Sequence, residues 1–117
     1  MGSSGASNTS ALTFLGDETG SGGPTTDTEV WNGSTWTEVN DCNTGRYYVA
    51  GAGTATAALA VGGENAPTDN LTESWDGTNW TEVAATNTGH GHSGGLQGGG
   101  TNTSTLVFGA PPSSGVT

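Results

Sequence analysis

Apolar positions along the chain fall in short runs separated by Gly-, Ser-, Thr- and Asn-rich stretches, and the runs recur. Ala11-Leu12-Thr13-Phe14-Leu15-Gly16-Asp17 aligns with Ala58-Leu59-Ala60-Val61-Gly62-Gly63-Glu64, and again with Thr105-Leu106-Val107-Phe108-Gly109-Ala110, 47 residues apart both times. A nine-residue phrase is written twice, from Trp31 to Val39 and from Trp75 to Val83, and it holds all four tryptophans, Trp31, Trp36, Trp75 and Trp80. Within it the pattern alternates: Trp36 and Glu38 fall on one strand face, Thr37 and Val39 on the other. No stretch sustains a 3.6-residue period. The pattern therefore predicts four short strands per unit and no helix: residues 47–51 (92–97 in the second copy), 59–62, 28–31 or 72–75, and 36–39 or 80–83. Asn32-Gly33 and Asp76-Gly77 predict the hairpin turns, because these residue types tolerate positive φ.

The repeat divides the chain into an N-terminal strand or arm (1–10), a first unit (11–57), a second unit (58–104), the opening strand of a third (105–110) and a tail (111–117). Length differences between the units are confined to Gly-, Ser- and Pro-rich connections, as for loops over a constant scaffold. A period of 47 residues with four strands and a glycine-ended apolar strand is the arithmetic of a β-propeller blade.

The order Arg46, then Leu59-Ala60-Val61-Gly62-Gly63, then Glu73-Ser74-Trp75-Asp76, then Trp80 resembles a kelch repeat. The resemblance covers roughly residues 11 to 110. The Thr- and Gly-rich composition also resembles kelch-like arrays in tail and appendage proteins of marine phages. Two departures stand out: Leu15-Gly16 replaces Gly-Gly in the first copy, and His90 stands where Arg46 would recur. The resemblance implies an all-β fold of four-stranded antiparallel blade units, with Gly62 and Gly63 ending a strand and Arg46 knitting loops together through its planar donors. Propellers close with about four to eight blades. Two units and a partial third leave apolar faces uncovered, so the expectation is completion by self-association, as a trimeric ring or a fibre. Strand 105–109 could join neighbouring subunits.

Composition narrows the partners. One basic residue, Arg46, stands against eleven acids, a net charge of -10, which argues against nucleic acid and anionic lipid. Leu, Val and Phe make up about 13% of the chain, under the roughly 20% that warns of disorder, but the spaced tryptophans and the repeat argue for order. No signal peptide, myristoylation pattern or membrane-spanning run is visible, which predicts no membrane insertion.

Candidate chemistry is thin. His90 and His92, at i and i+2, would share one side if their segment is a strand, but they lack a third ligand and read as part of a solvated Gly-rich loop. Asp17, Glu18 and Asp27, and Glu64 with Asp69, lie in equivalent loops without ordered calcium-ligand spacing. Glu38 and Glu82 recur through the repeat. Cys42 has no base near it in sequence and reads as a small, half-buried side chain. Asn8, Asn32, Asn70, Asn79 and Asn102 fall in Asn-X-Ser/Thr patterns that a chain so rich in these residues produces by chance. No catalytic constellation, metal site or cofactor is predicted, nor the copper ligands of secreted kelch oxidases. The expectation is a non-enzymatic structural protein, on a virion surface or extracellular, that touches a host surface. The alternative is a carbohydrate- or ligand-binding β-propeller module with Trp and Tyr platforms, and a host-surface glycan is a candidate partner.

Overall fold

The computed structural model describes residues 2–17, 22–65, 69–90 and 97–108. It is all-β, with no helix among the described residues. Strands β1 (Gly2–Ser7), β2 (Ser10–Asp17), β3 (Pro24–Trp31) and β4 (Trp36–Val39) form one antiparallel sheet in chain order. Strands β5 (Ala50–Thr54), β6 (Ala57–Val61), β7 (Thr72–Trp75) and β8 (Trp80–Val83) form a second in the same order. Strands β9 (Gln97–Thr101) and β10 (Ser104–Phe108) make a two-stranded third. Strands β2, β6 and β10 open at Ser10, Ala57 and Ser104, each 47 residues after the last.

The strand predicted at 47–51 lies three residues further on, at Ala50–Thr54. Tyr48 has φ 51, a left-handed conformation that breaks an extended strand, and Tyr47 makes only an isolated bridge to Glu64. Of its predicted counterpart at 92–97, only Gln97 is among the described residues, and it opens β9. β5 also packs where side chains do not fit: a Cβ on Gly51 would run into the Ser3 carbonyl and the Phe14 ring. The aromatic pair that suggested a strand is therefore its approach, and small residues form the strand itself.

The two Trp hairpins are superposable in their chemistry. Trp31 pairs with Trp36 and Trp75 with Trp80, closing four-residue loops in which Gly33 and Gly77 both have φ 98. Only the glycines take positive φ, so Asn32 and Asp76 act through their side chains instead. Asn32 Oδ1 accepts the Ser34 and Thr35 N–H groups at 2.9 Å each, and Asp76 Oδ1 accepts those of Thr78 and Asn79 at 2.8 and 2.7 Å. These donors, Asn79 foremost, hold the Asp76 carboxyl below its ordinary value. A lowered folded-state value means the contribution is present above the unfolded aspartate pKa and is lost as pH falls through the folded one. Asp76→Asn, which copies Asn32, is expected to keep the fold and flatten the acid limb of stability, as read by urea unfolding between about pH 5 and pH 2.

The main core lies between the first two sheets. Leu12, Phe14 and Cys42 meet Ala58, Ala60, Trp75 and Trp80, all buried. A smaller cluster of Ala50 and Val61, with Leu59 and Val107 against it, joins the second sheet to β10. Leu15 (φ 60) and Gly16 (φ 136) take the left-handed conformations of Gly62 (φ 66) and Gly63 (φ 99). For leucine that conformation costs about 1–2 kcal/mol, which its complete burial in the core offsets by about 1.5–3 kcal/mol.

Candidate functional site

The segment between β4 and β5 carries the one base of the chain into the interior. Arg46 is fully buried, and its guanidinium has a partner for each terminal nitrogen. Nη1 donates to the carbonyls of Gly62 at 2.7 Å and Leu71 at 2.9 Å, and Nη2 to Glu73 Oε2 at 2.8 Å. Glu73, equally buried, uses Oε1 to accept the Asn43 N–H at 2.6 Å. The ion pair thus fastens the incoming linker to β7 and to the turn after β6. Gly62 and Gly63 follow β6, which ends at Val61; a Cβ on Gly63 would meet the Tyr47 carbonyl and Val49.

Beside this clamp, a side chain of the second sheet is seated in the first. The Trp80 ring meets Phe14 edge-on at 4.9 Å, with planes 62° apart. Its Nε1 donates to Thr28 Oγ1 at 3.0 Å, and its carbonyl accepts Asn43 Nδ2 at 3.0 Å. Cys42 lines the same seat, its Sγ 3.8 Å from Thr28 Oγ1. Apolar contact, one hydrogen bond to the indole and one to its backbone therefore define a tryptophan socket.

Burial, reinforced by the Glu73 carboxylate, pushes the Cys42 thiol up to about 12. Its neutral form is favoured on folding, so this contribution is whole below the unfolded thiol pKa of about 8.5 and is lost as pH rises through the folded value. A maleimide at pH 8 is expected to leave Cys42 unlabelled in the native protein and to label it fully in urea. Rapid native labelling would contradict the burial of this seat.

The second sheet repeats the socket. Leu59, Val61, Thr72, Thr86, Asn87 and His90 stand where the first has Leu12, Phe14, Thr28, Cys42, Asn43 and Arg46, as the matched registers and the Cys42–Thr26 and Thr86–Asn70 backbone bonds require. Together with Val107 of β10, all six of these residues border an open cavity of about 650 Å³. Conversely, among the described residues Trp36, the counterpart of Trp80, meets no neighbouring sheet. It stacks on Trp31 at 5.4 Å and 42°, as Trp80 does on Trp75 at 5.4 Å and 40°, yet it is 48% exposed against 6% for Trp80. Trp75 and Trp31 anchor their hairpins alike, donating to the carbonyls of Ala55 and Asn8 at 3.0 and 2.9 Å.

His90 borders the cavity, while His92 and Glu18 lie outside the described residues. Among the described residues, no three His, Cys, Asp or Glu side chains gather as a metal cluster would. Glu38 and Glu82 sit directly opposite Glu29 and Glu73 in the sheets, which explains their recurrence by register. Sequence reasoning singled out Arg46 and the tryptophans, carried Glu73 in the kelch-like order without giving it a role, and assigned none to Thr28, Asn43 or Thr72; position in the repeat was the available signal. Comparison with known protein families and with curated proteins found no match for this chain.

Proposed function

We propose that this protein is a non-enzymatic structural scaffold whose kelch-like units associate with further copies of themselves, as a ring or fibre on a virion surface or in an extracellular appendage. The observation that carries the reading is the unequal fate of two equivalent tryptophans: Trp80 is enclosed by a neighbouring sheet and Trp36 is not. A half-exposed indole already held in its packing geometry is an interface side chain awaiting a face. The acid-rich surface and polar loops suit presentation to solvent or to a host surface.

Light scattering on the purified chain tests this. A mass that grows with concentration, with rings or filaments in micrographs, is the expected result; a monomer at every concentration would remove the reading. A second reading, a glycan-binding module, draws on Tyr48, which is exposed and borders a small cleft with Tyr47 and Asp17. Acrylamide quenching of tryptophan separates the two: self-association shields Trp36 as concentration rises, whereas a glycan platform is shielded only by added oligosaccharide.

A further inference from the structure

Two halves of one joint lie at opposite ends of the described chain, and they match. The cavity beside β10 has the lining of the socket that holds Trp80, and its wall includes Val107, so it exists with β9 and β10 in place. Among the described residues, β9 and β10 pair with no further hairpin of the kind that β7 and β8 supply to the second sheet and β3 and β4 to the first. β10 is moreover a near copy of β2: Ser104, Leu106 and Phe108 repeat Ser10, Leu12 and Phe14. The copies differ in fate, since Leu12 and Phe14 are buried while Leu106 is 70% and Phe108 56% exposed.

We infer that the cavity is a docking site for the β3–β4 hairpin of a second copy of this chain, joined by strand exchange in which β10 of the receiving copy replaces β2 of the incoming one. The inference rests on the scaffold reading and specifies its contact. In the native register Trp31 faces Ala11, Glu29 faces Thr13 and Thr28 faces Phe14. After exchange the same residues face Thr105, Val107 and Phe108, as Trp75, Glu73 and Thr72 face Ala58, Ala60 and Val61 in the second sheet. Trp36 then enters the cavity over Val61, its indole N–H reaches Thr72 Oγ1, and Asn87 meets its carbonyl as Asn43 meets that of Trp80.

Leu106 and Phe108 take the buried places that Leu12 and Phe14 vacate, while Leu15, buried in the single chain, has Gly109 at the same place of the repeat and gives up its burial. Against that loss stands the burial of Trp36 and of Val83, which is exposed where its counterpart Val39 is packed against the core. The alternative, docking an intact first sheet, would put Ser3 of β1 where β9 has Gly98. The β5 strand before it has Gly51 at this position, where a Cβ would strike the neighbouring strand's carbonyl. The joint is head-to-tail, because plug and socket are different surfaces.

Trp36 and Leu106 are both exposed in the single chain, so Trp36→Ala and Leu106→Asp leave its fold intact, which near-ultraviolet circular dichroism checks. Sedimentation velocity after prolonged incubation is expected to show each variant alone associating at least about tenfold more weakly than the original chain. Mixed, the two variants regain one joint: the Leu106→Asp copy supplies Trp36 and the Trp36→Ala copy supplies β10, giving a heterodimer that does not grow. If the original chain associates but the variants associate as strongly, the inference falls and the scaffold reading stands. If both variants lose association and their mixture stays monomeric, the joint is symmetric and the exchange is wrong. If the original chain is monomeric throughout, both readings fall.

Discussion

Replacing Arg46 with alanine is expected to unfold much of the protein at room temperature. The change leaves the Glu73 carboxylate buried with the Asn43 N–H as its remaining partner, and strips donors from the carbonyls of Gly62 and Leu71. Breaking one half of a buried ion pair costs about 3–5 kcal/mol. A domain of this size holds about 5–15 kcal/mol in all, so this loss consumes a large share. Arg46→Lys is expected to recover only part of it, because one ammonium cannot reproduce a planar fork aimed at two carbonyls and a carboxylate. The double variant Arg46→Met/Glu73→Gln should be less harmful than Arg46→Ala, since no uncompensated charge remains. Urea midpoints followed by tryptophan fluorescence measure all three. Arg46→Ala within about 1 kcal/mol of the original chain would mean that the pair is not buried in solution.

The second large effect is expected at Trp80, in contrast with its twin. Trp80→Ala empties the socket formed by Phe14, Thr28 and Cys42, a change that costs about 3–5 kcal/mol in a packed core. It also leaves the Thr28 hydroxyl with only a weak sulfur partner. Trp36→Ala removes the same side chain from the same hairpin position, but the indole is half exposed and the expected cost to the single chain is under about 1 kcal/mol. Thermal unfolding of the two variants at low concentration reads the difference directly. Equal losses would show that each tryptophan serves its own hairpin and that the seat between sheets contributes little.

How far these features could be read from the sequence depends on whether their cause is local. The ranges expected for β4, β7 and β8 coincide with the observed strands, because aromatic ends, alternation and a glycine turn all sit within ten residues. β3 starts earlier than expected, at Pro24, since the polar run before Val30 carries no apolar alternation. β1 offers almost no side-chain signal, and its bulge between Gly5 and Ser7 adds a residue that shifts it out of the 47-residue spacing. β5, the first strand of the second sheet, starts later than expected because Tyr47 and Tyr48, strand-favouring residues, are held in a bend. Arg46 stands out as the sole base, but its partner is one of eleven acids and lies 27 residues away, so only the folded register selects Glu73. The cavity is wholly non-local, being assembled from β6, β7, the segment after β8 and β10.

Because each sheet is tied by its side chains to the sheet beside it, stability here has the form of a one-dimensional lattice: a term for each unit and a coupling for each boundary. The first boundary buries the large rings of Trp80 and Phe14, whereas the second packs the smaller Ala50, Val61 and Val107 and should be the more weakly coupled. Hydrogen exchange should then fall along a gradient, with amides of β2, β3, β6 and β7 opening only with the whole molecule. Those of β9 and β10 should open on their own and much sooner. The same weak coupling makes the C-terminal hairpin the place where the molecule can be lengthened or rearranged without disturbing the rest.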